Sequence, residues 1–293
     1  MLRGYWAAAV TPFNNGALDF GALEKYMAHV ADSGVSGVVV GGSTGEALSL
    51  SLDEKIQLVS SASKAINGKI KVVAGVLEAT TDGCLALMRS LEKYVDGFLC
   101  LCPYFLRASQ EQIHQHLRKL SASTSRSIII YNNPARTGSS VEFSTLLELT
   151  KLANVVGIKE CSRDISVFTS WRLELKNDFA IFCGDDATAA GALALGAAGV
   201  ISVSANVLPK TCIKLYNALQ DSDVKTFARL RDALYPFHEL MFAAPSPSPV
   251  KYALAQMGYM SEEVRAPLSP ISRELSRGID ALLILLGGME SIK

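Results

Sequence analysis

Short apolar runs alternate with amphipathic helical segments through the first 225 residues of the chain. A strand, a helix and a second strand in that order make parallel strands, so the alternation predicts a parallel sheet covered by helices. Eight such units within roughly 200 to 250 residues are typical of a (β/α)8 TIM barrel, an α/β fold. We therefore expect a catalytic barrel over residues 1–225. The predicted strands are 5–10, 37–41, 72–75, 97–101, 127–131, 155–159, 180–183 and 199–202.

Residues 226–293 have a helical pattern. Helices are expected over 227–242, 250–257 and 271–286, separated by prolines, which interrupt helices. We expect a C-terminal helical extension packed on the barrel rather than an independent domain. The apolar run at 281–286 is far too short to span a bilayer, because a transmembrane helix takes about 20 residues.

Composition and charge exclude several classes of protein. The chain has 293 residues, 49% of them hydrophobic, with 28 basic and 28 acidic side chains. This is ample for one large core, and the balanced charge without a basic stripe excludes a nucleic-acid partner. The apolar N-terminal segment is interrupted by Thr11-Pro12-Phe13, so no secretory signal is expected. The predicted location is cytoplasmic, with no membrane partner.

The six cysteines and four histidines do not form a metal-binding pattern. Cys100 and Cys102 alternate on one predicted strand, which sends both thiols to one face without supplying the four ligands of a zinc site. Packed free thiols are expected instead. No metal site is therefore predicted.

Lys159 ends the apolar run 155–158 and is followed by Glu160 and Cys161. A lysine at the end of a buried strand has two explanations. Its side chain simply reaches solvent, or its amine stays in the interior, where lost solvation lowers its pKa and makes it a nucleophile toward a keto acid. On this residue alone the first explanation is favoured, so the neighbouring residues decide.

The preceding predicted strand ends in a second set of chemically useful side chains. The run 127–130 leads into Tyr131, and Arg136 follows five residues later. A helical pattern between Tyr131 and Lys159 completes a β-α-β unit, which places both residues at the C-terminal edge of one sheet. A phenol there can move protons to and from a substrate, and a guanidinium can bind a carboxylate through paired hydrogen bonds.

A glycine-rich loop, Gly41-Gly42-Ser43-Thr44-Gly45-Glu46, follows the second predicted strand. Glycines let the backbone approach an anion, and the hydroxyls of Ser43 and Thr44 can bind its oxygens. The loop lacks the Gly-Lys-Ser/Thr ending of nucleotide-binding phosphate loops. It precedes a helix with a capping-box pattern at Ser51 and Glu54. Taken alone, a plain tight turn is the simpler interpretation.

Taken together, these segments resemble the dihydrodipicolinate synthase and N-acetylneuraminate lyase family of class I pyruvate aldolases. The resemblance covers essentially the whole chain, and chance does not account for so many matches in order. The matching segments are Ala-Val-Thr-Pro-Phe at 9–13, Gly-Gly-Ser-Thr-Gly-Glu at 41–46, Pro-Tyr at 103–104, Tyr-Asn-Asn-Pro-Ala-Arg-Thr-Gly at 131–138, Gly-Ile-Lys-Glu at 157–160, Gly-Asp-Asp at 184–186, Gly-Val-Ile-Ser-Val-Ser-Ala-Asn at 199–206 and Pro-Val-Lys-Tyr at 249–252.

The resemblance implies the chemistry of the site. Lys159 is implied to form a Schiff base with pyruvate, Tyr131 to act as general acid and base, and the Thr44 hydroxyl to pass protons to Tyr131. The enamine that results then attacks an aldehyde. Because the lysine supplies the electron sink, no metal or organic cofactor is implied.

The resemblance also implies how the substrates are held. Ser43 and Thr44 are implied to bind the pyruvate carboxylate, and Gly184 and Ile201 to line the site through backbone groups. Synthase-type members use an arginine at the position of Arg136 to bind the carboxylate of aspartate semialdehyde. Lyase-type members that process sialic acid generally lack it. Arg136 therefore favours a synthase in lysine and diaminopimelate biosynthesis.

Two departures from the synthase pattern point the other way. The double glycine Gly41-Gly42 is more similar to the lyases. Phe105 stands where synthases usually carry a second tyrosine, which reaches the neighbouring subunit's site and completes a proton relay. A phenyl ring cannot carry a proton. Tyr104 lies beside it as a possible replacement, and the expected relay is otherwise impaired.

The resemblance has further implications for regulation and assembly. Lysine-inhibited synthases carry histidines in the helix after the Gly-Glu motif, whereas Leu52 and Lys55 stand at the corresponding places here. Glu78 remains available to face a cleft between subunits. We expect weak or absent feedback by lysine. The family also implies a homotetramer, built as a dimer of tight dimers.

Three hypotheses follow for the function. The first is a synthase that condenses pyruvate with aspartate semialdehyde. The second is a related pyruvate lyase or aldolase, of the N-acetylneuraminate lyase type or for another 2-keto-3-deoxy acid. The third is a non-catalytic barrel that binds ligands, which the intact Lys159 and Tyr131 disfavour.

Overall fold

The structure, a computed structural model that describes residues 2–291, confirms the (β/α)8 barrel. Eight parallel strands pair in chain order, and the eighth pairs with the first to close the barrel. We number these barrel strands from first to eighth along the chain. They are Gly4–Ala8, Gly37–Val40, Lys71–Val76, Gly97–Leu101, Ser127–Asn132, Val155–Glu160, Ala180–Cys183 and Gly199–Ser202.

All eight predicted strands are present, and the differences lie at their ends. The first strand ends at Ala8, two residues earlier than predicted. The fifth and sixth strands each continue one residue further, to Asn132 and Glu160. These two residues pair with one another, as do Tyr131 and Lys159 before them. The extension therefore brings polar side chains into register at the C-terminal edge of the sheet.

Helices connect successive strands on the outside of the barrel. The Ser51 hydroxyl accepts a hydrogen bond from the Glu54 N–H at 3.2 Å, and the Glu54 carboxylate accepts one from the Ser51 N–H at 2.9 Å. This is the capping box predicted for the start of the second helix. The helices of the barrel region are Phe20–Asp32, Leu52–Ile66, Thr81–Leu91, Gln110–Ala122, Pro134–Thr137, Phe143–Leu149, Ser166–Glu174, Ala189–Ala194 and Pro209–Gln220.

Three helices follow the barrel region, close to the predicted ranges: Val224–Leu240, Ser248–Gln256 and Arg273–Ser291. Val224–Leu240 packs against Pro209–Gln220 and against the last helix, and Ser248–Gln256 also packs on the last helix. Pro236 lies inside Val224–Leu240, so this proline does not end a helix. Within residues 2–291, no helix is both long enough and apolar enough to cross a membrane.

Two apolar layers hold the barrel together. The larger layer lies between the strands and the surrounding helices, and the smaller one fills the barrel interior. Trp6 occupies the interior, where its ring lies so close to Gly37 that a Cβ at this position would stand 2.3 Å from it. Tyr131 belongs to the same interior layer. The interior is thus a packed core, and a cavity opens where the strands end.

Candidate active site

Lys159 and Tyr131 meet inside the barrel, as predicted from the β-α-β unit. They are paired residues on neighbouring parallel strands. Both side chains are buried, with 6% of Lys159 and 4% of Tyr131 exposed. The Lys159 Nζ lies 4.7 Å from the centroid of the Tyr131 ring. The amine therefore does not extend into solvent, which excludes the simpler of the two explanations for this lysine.

A cavity of about 460 Å³ opens above these two side chains. Six of the residues that the sequence analysis singled out line it, including Lys159 and Tyr131. Its volume suits a small-molecule substrate. The lining residues are Ser43, Thr44, Tyr131, Asn133, Pro134, Ala135, Arg136, Lys159, Cys161, Ser162, Arg163, Gly184, Asp185, Val203, Phe242 and Ser246.

The Tyr131 hydroxyl has two polar neighbours. The Asn133 side-chain amide donates a hydrogen bond to it at 3.1 Å, and the Ser43 hydroxyl lies 3.5 Å away. The resemblance implied Thr44 as the proton-passing neighbour; Thr44 lines the same cavity, and its proton-passing role stays a prediction. Asn133 was missed, although its place two residues after Tyr131 at the end of a strand was a usable signal.

Electrostatics around Lys159 contradict the lowered pKa expected from the sequence. Burial lowers the pKa of this amine, but attraction to the Tyr131 oxygen, Cys161 and Asp186 outweighs burial, so the pKa is raised above its ordinary value. The prediction considered desolvation alone and left out the acidic groups beside the amine, so the expected lowering of the pKa was wrong. The free site therefore favours the ammonium form.

Gly184 must be glycine for Lys159 to occupy its position. An added Cβ would lie 2.2 Å from the Cys161 Sγ and 2.7 Å from the Lys159 Cε. The Gly184 N–H also donates a hydrogen bond to the Glu160 carbonyl at 2.7 Å, which fixes its distance from the sixth strand. Gly184 thus borders the site through its backbone, as the sequence indicated.

A buried carboxylate behind Lys159 fixes the ends of the fifth and sixth strands. Glu160 accepts a hydrogen bond from the Asn132 side-chain amide at 2.6 Å and one from the Ser162 N–H at 2.6 Å. Asn132 also accepts a hydrogen bond from the Val141 N–H at 3.0 Å. Burial raises the pKa of Glu160. The network holds the loops after both strands in place beside the nucleophile.

Two guanidinium groups line the mouth of the cavity. Arg136 is exposed there, on the short helix Pro134–Thr137. Arg163, which the sequence analysis missed, lies 3.2 Å from the Asp185 carboxylate and 3.6 Å from that of Glu239. Its pKa is raised, mainly by the charge of Asp185. Positive charge at the mouth favours an anionic substrate.

Three other residues singled out from the sequence lie outside this cavity. Ile201 is buried in the barrel interior, and Val203 lines the cavity in its place. The Tyr104 hydroxyl donates a hydrogen bond to the Leu77 carbonyl at 3.2 Å. Phe105 is 89% exposed, with a φ of 68°. Neither Tyr104 nor Phe105 reaches the cavity of its own chain.

A comparison with known proteins agrees with this geometry. The model of the dihydrodipicolinate synthetase family matches residues 1–284. The chain belongs to this family. The resemblance stated from the sequence motifs is thus confirmed.

Individual members of the family are similar over nearly the whole chain. The 4-hydroxy-tetrahydrodipicolinate synthase of Phenylobacterium zucineum is 37% identical over 273 residues, which cover 93% of this chain and 93% of that protein. The solved structure of the corresponding synthase from the thermoacidophilic methanotroph Methylacidiphilum fumariolicum SolV is 33% identical, covers 99% of both chains and has a TM-score of 0.95. A structure described as the first monomeric dihydrodipicolinate synthase variant is 34% identical, covers 97% of both chains and has a TM-score of 0.94.

The dihydrodipicolinate synthetase family uses a Schiff base on a lysine and needs no cofactor. The donor groups of this chain suit that chemistry. No group of three His, Cys, Asp or Glu side chains within residues 2–291 is arranged to hold a metal ion. All six cysteines are free thiols, and burial raises the pKa of Cys161 beside Lys159 to about 11. This thiol therefore stays protonated near neutral pH.

The raised pKa of Lys159 predicts how imine formation depends on pH. Only the neutral amine attacks a carbonyl, so below its pKa the rate of pyruvate adduct formation should rise about tenfold per pH unit. We expect no plateau between pH 6 and roughly 9.5, since even an unperturbed lysine has a pKa of about 10.4. Timed borohydride quenching with intact-mass analysis, at pyruvate concentrations well below saturation, measures this rate.

The Tyr131→Phe variant provides the comparison. Removing the phenolic oxygen removes the largest contribution that raises the pKa of Lys159. The plateau in the rate of adduct formation should therefore begin at a lower pH than in the parent protein, even if the rate at each pH is smaller. A plateau near pH 7 to 8 in the parent protein would mean that the pKa of Lys159 is lowered, contrary to this prediction.

Proposed function

We propose that the protein is a 4-hydroxy-tetrahydrodipicolinate synthase, a class I carbon–carbon lyase that condenses pyruvate with aspartate semialdehyde. The observation that carries this proposal is the buried Lys159 amine, 4.7 Å from the Tyr131 ring, in a cavity with Arg136 at its mouth. A nucleophilic amine, a proton carrier and a carboxylate-binding group are the three parts that this reaction needs. The related proteins that bear this enzyme name support the choice of substrates.

The reaction begins with covalent capture of pyruvate. The neutral Lys159 amine attacks the ketone carbon, and loss of water leaves an iminium ion. Since the free site favours the ammonium form, a proton must leave before the attack. The Tyr131 ring lies 4.7 Å from the amine, and its phenol is the group that we assign to the exchange of that proton.

Carbon–carbon bond formation follows from the iminium ion. Tyr131 removes a proton from the methyl carbon, and the electron pair moves toward the iminium nitrogen to give an enamine. The enamine carbon attacks the aldehyde carbon, whose oxygen takes up a proton. The amino group of the former semialdehyde then adds to the imine carbon, and after proton transfer the Lys159 amine leaves, which closes the ring of the product and restores the lysine.

Two sets of groups hold the substrates during these steps. Ser43 and Thr44 line the cavity, and their hydroxyls bind the pyruvate carboxylate. Arg136 binds the carboxylate of aspartate semialdehyde, because a guanidinium can donate two parallel hydrogen bonds to a carboxylate. Gly184 contributes a close backbone wall, and Ile201 supports the floor from below.

Proton transfer in this chain lacks the second tyrosine of the synthase relay. Phe105 cannot replace it, and the Tyr104 hydroxyl is engaged by the Leu77 carbonyl. We infer that Tyr131 exchanges protons with Ser43, whose hydroxyl lies 3.5 Å from the phenol, and that Thr44 acts through the bound carboxylate. The Asn133 amide donates a hydrogen bond to the phenolic oxygen at 3.1 Å, which helps to hold the phenol in place.

The wider setting of the enzyme follows from the proposed reaction. It belongs to lysine and diaminopimelate biosynthesis. The boundary between a barrel at 1–225 and a packed extension at 226–293 stays a prediction. Residues 292 and 293 of that extension lie outside the described range. The cytoplasmic location is a prediction as well.

Adduct trapping tests the proposed chemistry. Borohydride reduction with pyruvate should add one reduced pyruvate to the parent protein, and Lys159→Ala should show no adduct, because Lys159 supplies the attacking nitrogen. The same preparation should turn over aspartate semialdehyde. Arg136→Met should form the adduct normally yet have a KM for the semialdehyde raised about tenfold or more, from loss of a charged hydrogen-bonded pair.

The outcomes separate the three hypotheses. An adduct without turnover of the semialdehyde would favour an aldolase for another aldehyde, including the N-acetylneuraminate lyase type. The absence of any adduct on the parent protein would favour the non-catalytic ligand-binding barrel.

Assembly is a separate prediction. Phe105 and Leu106 are exposed by 89% and 74% on one loop, and such apolar side chains are typical of contacts with a second copy. We expect a homotetramer, so light scattering should give four times the chain mass of 31.4 kDa. Phe105→Ser together with Leu106→Ser should lower that mass. A monomeric parent protein would contradict the prediction.

Feedback by lysine should be weak or absent. The Lys55 ammonium already forms an ion pair with Glu78, so a lysine ligand at this carboxylate would have to displace it. Initial rates should be nearly unchanged at millimolar lysine. Lys55→Met frees Glu78 and should increase sensitivity to lysine. An inhibition constant in the micromolar range for the parent protein would rule the prediction out.

A further inference from the structure

The loop that carries Ser43 is fixed from behind by a residue with no role in the proposed chemistry. Glu46 closes a turn with Ser43, since its N–H donates a hydrogen bond to the Ser43 carbonyl at 3.2 Å. Glu46 has φ 54° and ψ 33°. This is the left-handed region of backbone conformation, which is unfavourable for residues other than glycine. Surrounding contacts must therefore hold this turn in place.

A buried ion pair supplies the main contact. The Lys251 Nζ lies 2.8 Å from the Glu46 Oε1, and both side chains are 0% exposed. Lys251 belongs to helix Ser248–Gln256, more than 200 residues away in the chain. Replacing such a pair with apolar residues often leaves stability unchanged, so stability alone does not explain why two charges are buried here.

The second Glu46 oxygen is also occupied by the C-terminal region. The Arg265 N–H donates a hydrogen bond to the Glu46 Oε2 at 2.9 Å. The Arg265 guanidinium donates to the Ser49 carbonyl at 2.8 Å and to Glu54 at 3.0 Å. Arg265 therefore binds the chain on the far side of the turn as well. The carboxylate of Glu46 is held at both oxygens by residues that follow the barrel.

The ring of Phe13 completes the surroundings of the ion pair. The Lys251 Nζ and the Arg265 Cζ each lie 4.4 Å from its centroid. Both cations thus contact the electron-rich surface of one fully buried aromatic ring. Such a cluster permits little variation in the position of Lys251, so the Glu46 carboxylate has one well-defined place to bind.

The active-site side of the turn is equally close to its neighbours. The Thr11 hydroxyl donates to the Gly45 carbonyl at 2.6 Å. A Cβ on Gly75 would stand 2.4 Å from the Gly41 carbonyl oxygen, so the loop rests directly on the third strand. A shift of Glu46 therefore cannot be absorbed within the loop, and it moves Ser43 relative to Tyr131.

We propose that Glu46 is a positioning residue for pyruvate, held by Lys251 and Arg265, through which the C-terminal region sets the place of the Ser43 hydroxyl beside Tyr131. Neither Glu46 nor Lys251 is among the residues that line the cavity. The inference rests on the proposed function, because it assigns these residues to the pyruvate half of that site.

Conservative substitutions test the proposal without removing the fold. Glu46→Asp keeps the charge but shortens the side chain by one methylene, which pulls the turn toward Lys251 or breaks the pair. Lys251→Met removes the cation, and Lys251→Arg restores it with a different shape. The readout is the pyruvate concentration that half-saturates borohydride-trapped adduct formation, together with KM for aspartate semialdehyde and Tm.

A displaced turn should weaken pyruvate capture selectively. We expect Glu46→Asp and Lys251→Met to raise the half-saturating pyruvate concentration by about tenfold to a hundredfold, as misplacement of about 1 Å does in an active site. KM for the semialdehyde should change less than about twofold, because Arg136 lies on another loop. Lys251→Arg should recover part of the loss.

Leu254→Ala is the matched control. Leu254 is buried in the same helix, one turn from Lys251, so its truncation lowers Tm without changing the contact with Glu46. Its pyruvate dependence should equal that of the parent protein.

Two results would overturn the inference. In the first, Glu46→Asp and every folded Lys251 variant lower Tm but keep the pyruvate dependence of the parent protein, which is the behaviour expected of Leu254→Ala. The ion pair would then have a structural role alone. If the parent protein formed no pyruvate adduct at all, the proposed function would fall first, and this inference with it.

Discussion

Closure of eight parallel strands into a barrel is the constraint on which the site depends. Every strand must end at the same face, so loops far apart in the chain share one small opening. Lys159 and Tyr131 are adjacent because their strands pair in register, and the Ser43 loop reaches them across the barrel mouth. Closure of the sheet therefore brings the reacting side chains to one place.

The buried charged side chains around the cavity are stabilised in different ways. Glu160 is satisfied by an amide and a backbone N–H, and burial raises its pKa. One oxygen of Asp186 accepts two backbone hydrogen bonds, from Val203 at 2.9 Å and Ser204 at 2.8 Å. Among residues 2–291, no side chain forms an ion pair with Lys159, and its pKa is raised by the acidic groups near it, Tyr131, Cys161 and Asp186 among them. A buried amine without an ion-pair partner in this part of the chain is well suited to change its protonation state and bonding.

Sequence reasoning worked well where a pattern is local. Alternating apolar runs located all eight strands, and the β-α-β spacing placed Tyr131 beside Lys159. It worked less well for loops. The Gly41–Glu46 segment indicated two candidate hydroxyls, and the sequence did not show that the Ser43 hydroxyl would lie 3.5 Å from the phenol. Ile201 lies within the eighth strand, in the barrel interior, whereas Val203, which the sequence analysis did not single out, follows the end of that strand and lines the cavity.

What the sequence by itself determined is the architecture and the nature of the reaction. Strand and helix periodicity are properties of neighbouring residues, and the motifs around Lys159 and Tyr131, taken in order along the chain, carry the family resemblance that implies the reaction. The tertiary structure alone decided the charge state of Lys159 and the support behind the Ser43 loop. Both depend on groups from distant segments, Asp186 for the amine and Lys251 for Glu46, whose effects fall off steeply with distance. No pattern along the chain encodes that distance, because packing of the whole barrel sets it.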